Sequence, residues 1–173
     1  MKIDRDTYVN KSVCGFHLNQ QVSQTLWSSS LTDGIIVIKT VPAGNTSDEE
    51  YLQWEKGIGN TFCHGGFQYS RGDLVVPRNG VYRVFLQITY ESNNDFKLTN
   101  TVYIFRNTYE ENKALLSSVD TVSSSIKQWS KTLYTSGSFS LEANCRLRVR
   151  ASCPKLIVKK EDQVFFGAEL LPQ

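Results

Sequence analysis

An all-β sandwich is the fold class this sequence predicts, on three observations. Short runs rich in β-branched and aromatic residues recur every 8 to 15 residues, with turn residues between them. Two of those runs, 81–90 and 164–171, alternate apolar and mixed positions with the period of two that a strand imposes. No apolar period of 3.6 residues persists and no segment repeats, which argues against a parallel α/β fold. The 173 residues are enough for one domain with a real core and a tail.

Residues 1–33 are polar, rich in Ser and Gln, and hold one apolar pair, Leu26-Trp27. They read as a stalk or loosely attached arm. The domain is expected over 34–173. It opens with the run Gly34-Ile35-Ile36-Val37-Ile38-Lys39, followed by the aromatic anchor Leu52-Gln53-Trp54. Residues 74–77 and 81–90 read as strands joined by the turn Arg78-Asn79-Gly80. Further strands are expected over 101–106, 113–122, 132–141, 146–151 and 164–171.

Two strands declare their faces. Tyr82, Val84, Leu86, Ile88 and Tyr90 form one side of the 81–90 strand and should face the core. Val164, Phe166, Ala168 and Leu170 do the same in the last strand. The opposite sides mix aromatic and charged residues, with Arg83 and Phe85 on one strand and Phe165, Gly167 and Glu169 on the other. A face neither dry nor wet suits a subunit interface. The alternative is a pair of isolated surface aromatics.

Charge excludes some partners. A balance of 19 basic to 17 acidic residues provides no electrostatic footprint for nucleic acid. No run of 18 apolar residues exists to span a bilayer, and the opening Met1-Lys2-Ile3-Asp4-Arg5-Asp6 is no signal peptide. A cytosolic chain, or a fragment cut from a longer precursor, is expected. The cysteines at 14, 63, 145 and 153 have neither zinc-ligand nor redox spacing, so no metal is expected. Cys145 and Cys153 would lie roughly 26 Å apart on a straight strand, against the ~7 Å a disulfide tolerates. Cys63 with either of them, or Cys14 with any, stays open beside the alternative of buried free thiols. Asn10-Lys11-Ser12 and Asn45-Thr46-Ser47 are glycosylation sequons, usable only in a secreted chain.

Several motifs stand in a fixed order. Leu52-Gln53-Trp54 precedes Leu74-Val75-Val76-Pro77 by 19 residues, and Gly80-Val81-Tyr82 follows. From Trp129 onward come Leu133-Tyr134, Phe139, Leu141, Pro154 and the closing Phe166-Gly167. Each is weak alone. Together, over about 34–172, the chain resembles the tumour necrosis factor (TNF) ligand family, with the subfamily left open.

The resemblance implies a jelly-roll sandwich of two antiparallel sheets, assembled as a homotrimer about a threefold axis. It implies an extracellular cytokine, secreted or the ectodomain of a type II membrane protein, whose membrane anchor would lie in a precursor and not in this chain. It implies a cysteine-rich TNF-receptor-family ectodomain as partner, bound in grooves between subunits, and neither cofactor nor catalysis. By matching positions, Phe85, Tyr134 and Phe165 resemble the aromatic cluster lining the trimer axis, where Arg83 and Glu169 replace residues usually aliphatic in TNF itself. An unpaired buried charge is costly, so these two are expected to pair, within or between subunits. The alternative is that both reach water.

Tyr109, six residues before Leu115-Leu116-Ser117, matches a loop tyrosine that is often the central receptor contact in the family. Glu110 beside it, Lys56, Gly57 and Ile58 after the first motif, and Ile157, Lys159 and Lys160 in the late loop are weaker candidates. The late loop reads equally as a solvated turn. The chain also departs from TNF. It lacks the disulfide joining the two loops above the sandwich, and its first strand lacks the family's Ala-His pattern.

The nearest rival is a C1q-like trimeric binding module, which shares the Gly-Val-Tyr strand. The first motif disfavours it, and no Gly-X-Y repeat is present. A structural or viral-capsid jelly roll would give the Tyr109 loop no receptor role. An enzyme is poorly supported: His17 lies in the tail, and adjacent Cys63 and His64 on a strand would point apart. No phosphate-binding glycine loop and no HExxH helix occurs.

Overall fold

The computed structural model describes residues 35–39, 51–54, 62–106, 112–123 and 128–172. Among these described residues ten strands follow in chain order. They are β1 (Ile35–Lys39), β2 (Phe62–Cys63), β3 (Gln68–Ser70), β4 (Asp73–Val75), β5 (Gly80–Ser92), β6 (Phe96–Phe105), β7 (Lys113–Val122), β8 (Trp129–Leu141), β9 (Arg146–Ala151) and β10 (Phe165–Leu170). Their pairings are antiparallel and form two five-stranded sheets. The first, here the inner sheet, is ordered β2-β1-β10-β5-β8; the second, outer sheet, is β3-β4-β9-β6-β7. From β4 onward every connection except β6 to β7 crosses between the sheets. That is jelly-roll connectivity.

The alternation seen in sequence places the core. Tyr82, Val84, Leu86, Ile88 and Tyr90 are all fully buried, and Phe166 and Ala168 meet them from β10. Leu98, Val102, Leu147 and Val149 answer from the outer sheet. Large core side chains of this kind each contribute about 1.5–3 kcal/mol by leaving water. Trp54 packs on Phe166 with ring centroids 5.5 Å apart, and its backbone N–H donates to the Tyr69 hydroxyl at 2.7 Å. Between the sheets the Tyr90 hydroxyl donates to Asn100 Oδ1. Both residues are fully buried, and Asn100 Nδ2 is left without a hydrogen-bond partner.

The turn at Arg78-Asn79-Gly80 does not close a hairpin as the sequence suggested: β4 lies in the outer sheet and β5 in the inner one. The reason is local. Val76 is fully buried, and its backbone bonds Cys145 and Asn144, at the β8–β9 turn, rather than β5. Asn79 Oδ1 accepts the Ala143 N–H at 2.8 Å, and the Tyr82 hydroxyl donates to the Arg78 carbonyl at 2.8 Å. These bonds lock the crossing. Strands β6 and β8 begin earlier than expected, at Phe96 and Trp129, and the short β2 and β3 were unforeseen. At the start of β8 the Trp129 indole N–H donates to the Asn94 carbonyl, and Phe96 meets its ring edge to face with centroids 6.4 Å apart.

Candidate functional site

Strands β10, β5 and β8 lie side by side in the inner sheet, and the odd-numbered residues of β10 and β5, with the even-numbered residues of β8, turn away from the core. Register sets these residues in bands. Gln87 is flanked by Phe165 on β10 and Tyr134 on β8, while Phe85 is flanked by Gly167 and Ser136. Phe85 and Phe165 meet edge to face with centroids 6.3 Å apart. Both are half-buried, and Tyr134 stands 57% exposed. The middle of this face therefore presents three aromatic side chains outward.

Gly167 shapes that patch. A Cβ there would lie 2.5 and 2.7 Å from two carbons of the Phe85 ring and 2.3 Å from the Ile36 carbonyl oxygen. Phe85 thus lies down over the glycine backbone, where a side chain would exclude it. The sequence marked Phe166-Gly167 as a motif, but the reason for the glycine appears only when β5 and β1 flank it.

The next band is polar. Arg83 and Glu169 stand opposite each other in register and form an ion pair within one chain. Their side chains are 53% and 29% exposed. In water such a pair contributes about 0–1 kcal/mol. Ser136, Ser138 and Ser140 line the neighbouring positions of β8, all exposed. Small side chains there leave room for another surface to approach. On the other side of the aromatic band Thr89 Oγ1 and Thr132 Oγ1 are 2.7 Å apart, and within the band Gln87 Nε2 approaches the Asp162 and Gln163 carbonyls of the late loop at 3.4 Å.

The other candidate residues are scattered by the fold. Tyr109 and Glu110, Lys56, Gly57 and Ile58, and the sequon residues Asn10 and Asn45 lie outside the described residues. Lys159 and Lys160 are exposed, and the Lys160 carbonyl accepts the N–H groups of Gln163 and Val164, so this stretch is a turn. Ile157 requires correction as a surface contact: it is 6% exposed. Its backbone bridges Tyr90 and its side chain joins the core, so it anchors the loop that carries the two lysines. Of the described cysteines, Cys145 and Cys153 are free thiols, and Cys63 Sγ donates to the Phe67 carbonyl at 3.2 Å. Among the described residues no helix is long and apolar enough to cross a membrane, and no group of three His, Cys, Asp or Glu side chains comes together to hold a metal.

A family model, the TNF (Tumour Necrosis Factor) family, matches residues 52–171. Tumor necrosis factor ligand superfamily member 15 of Mus musculus is 30% identical over 153 residues, covering 79% of this chain and 61% of that protein. Tumor necrosis factor of Peromyscus leucopus is 30% identical over 154 residues, covering 83% of this chain and 65% of that protein. Tumor necrosis factor of Rattus norvegicus is 31% identical over 166 residues, covering 88% of this chain and 70% of that protein. The chain therefore spans less than two thirds of the length of the first two relatives. The matched region runs from the Trp54 anchor through both sheets to the end of β10, and the strand order is that of the jelly roll the motifs implied. The chain belongs to the tumour necrosis factor family.

Proposed function

We propose that this chain is an extracellular cytokine ligand that assembles as a homotrimer and clusters TNF-receptor-family receptors, triggering immune signalling. The observation that carries the proposal is the outward aromatic face of the inner sheet, formed by Phe85, Phe165 and Tyr134. Aromatic side chains of this size bury about 150–250 Å² each, so a water-facing trio is a strong drive to self-association. A threefold axis over this face brings each ring onto its own copies and multiplies the buried area by symmetry. The Arg83–Glu169 pair would then sit near the axis, already neutralised within each subunit.

Receptors would bind in the three grooves between subunits, with Tyr109 as central contact. Exposed tyrosine supplies apolar area and a hydroxyl at low entropic cost. Lys159 and Lys160, on their exposed turn, would flank the same groove. Gathering three receptors raises the local concentration of their cytoplasmic parts, so signalling requires no chemistry in the ligand. The native ligand would be secreted or held as the ectodomain of a type II membrane precursor.

Light scattering on the wild type and on Phe85→Asp tests the assembly. The expected result is a mass near three times 19.6 kDa that collapses to the monomer in the variant. A monomeric wild type would remove the groove and the receptor mechanism with it. Receptor capture from cells by wild-type and Tyr109→Ala trimers tests the contact, and undiminished capture by the variant would strike Tyr109 from it.

A further inference from the structure

A chain-wide surplus of two positive charges hides a local concentration. Between Glu142 and Glu161 the sequence carries six basic residues and no acidic one. Strand β9 sits in the middle of the outer sheet, between β4 and β6. Leu147 and Val149 are fully buried, so Arg146, Arg148 and Arg150 all point outward. Alternate residues of a strand recur every ~6.6 Å, which sets three guanidinium groups in a line along one ridge. Lys97 continues it: Ser152, just past β9, bonds the Thr99 N–H and the Lys97 carbonyl, which places β6 and the exposed Lys97 beside the end of the row.

The row is built on a fixed central member. Arg148 donates to both carboxylate oxygens of Asp73 and lies over the Phe105 ring at 4.6 Å and the Tyr51 ring at 5.4 Å. The hydrogen bonds to Asp73 are the largest cause that pushes its pKa above the ordinary arginine value. Arg146 reaches the same carboxylate, 3.7 Å away. Two guanidiniums thus share one acid, and the ridge keeps a positive surplus. Arg146 remains 41% exposed at its side chain, and Arg150 is exposed.

We infer that the outward ridge of β9 binds a linear sulfated polysaccharide through Arg146, Arg150 and Lys97, with Arg148 positioning the row. Guanidinium forks match sulfate oxygens in pairs, and a line of cations on a flat sheet suits an extended polyanion that needs no groove. Duplex DNA is read by an element that enters a groove, and the middle of a sheet offers none. Single-stranded nucleic acid stacks bases on open rings. Here Tyr51 takes Tyr103 and Phe105 edge to face, and Arg148 covers Phe105. Choosing a sulfated glycan over other polyanions rests on the extracellular reading above; the anion-binding ridge does not.

The test measures binding of the full chain to immobilised heparin over a salt series, for wild type, Arg146→Thr/Arg150→Thr and a charge-matched control, Lys159→Thr/Lys160→Thr, on the exposed turn packed at the inner sheet. Arg148 is kept because the fold uses it. The ridge variant should lose at least about tenfold in affinity, with a salt slope shallower by about two, one counterion per cation removed. The control should stay within about threefold of wild type, since exposed charges away from the ligand are screened. Equal losses in the two variants would overturn the inference, as would undiminished binding to desulfated heparin. Tighter binding to single-stranded DNA or to phosphatidylserine vesicles would overturn the choice of polysaccharide. Light scattering on the same samples separates the two readings. A wild-type monomer that binds heparin through the ridge defeats the trimer alone, and a trimer that ignores heparin defeats the ridge alone.

Discussion

Replacing Gly167 with Ala inserts one methyl group where two different obstacles stand. The new Cβ would lie 2.5 and 2.7 Å from carbons of the Phe85 ring and 2.3 Å from the Ile36 carbonyl oxygen. The ring can turn away, but the carbonyl belongs to the β1–β10 ladder and moves only if two paired strands part. Overpacking of this kind costs about 1–3 kcal/mol. Alanine also restricts the unfolded chain, which returns about 0.4–1 kcal/mol. The expected net loss is about 1–2 kcal/mol, or roughly 2–4 °C of melting temperature per kcal/mol for a chain of this size. Gly137→Ala is the control. Its Cβ would meet the Phe139 ring at 2.8 and 2.9 Å and Leu116 Cδ2 at 3.2 Å, all of them side chains that can shift. That variant should stay within about 0.5 kcal/mol of wild type, as the entropy gain offsets repacking. Urea unfolding at one fixed protein concentration measures both, since assembly would make stability depend on concentration. If Gly167→Ala proves as stable as Gly137→Ala, the backbone clash is not real and the account of the glycine is wrong. Because the same methyl pushes Phe85 off its seat, Gly167→Ala should also weaken the assembled form, read as a concentration-dependent mass.

Three further outcomes follow from the same geometry. Tyr90→Phe removes the only described partner of buried Asn100 and should cost about 1–3 kcal/mol, while Tyr90→Phe/Asn100→Val, with no polar atom left behind, should recover most of it in the same unfolding assay. Arg83→Ala alone should weaken the proposed trimer more than Arg83→Ala/Glu169→Ala, because the single change would strand a carboxylate on the proposed interface; equal damage in a double-mutant cycle read by mass would sink the pairing argument. Asp120 has its pKa lowered, first by the hydrogen bond from Lys131, which sits 2.7 Å away across the open edge of the sandwich. A depressed carboxylate stabilises the fold above its unfolded pKa of about 3.9 and loses that contribution as pH falls through the folded value. The gap in stability between wild type and Asp120→Asn should therefore be open at neutral pH and close in strong acid, and a gap that widens in acid would reverse the assignment.

Much of the fold was legible because a strand writes its burial directly into sequence. Alternation in 81–90 and 164–171 named the core faces of β5 and β10 residue by residue, and burial agrees at Tyr82, Val84, Leu86, Ile88, Tyr90, Phe166 and Ala168. The ordered motifs identified the family, since family spacing survives where single motifs are common. Less legible was anything that depends on which strands become neighbours. Arg78-Asn79-Gly80 has the composition of a hairpin turn, but bonds from Val76, Asn79 and Ala143 convert it into a crossing between sheets. Ile157 looks like any loop residue in sequence, and only its bridge to Tyr90 shows it to be a core anchor.

Sequence by itself thus determined the all-β class, the order of the longer strands, the inward faces of β5 and β10 and the family, because each depends on local period or on spacing along the chain. Tertiary structure alone decided the rest. It paired Arg83 with Glu169, laid Phe85 over Gly167 and lined up three arginines on β9, two of which share Asp73. Those contacts join residues up to 86 positions apart, and their energies depend on distances of a few ångströms that only strand register sets.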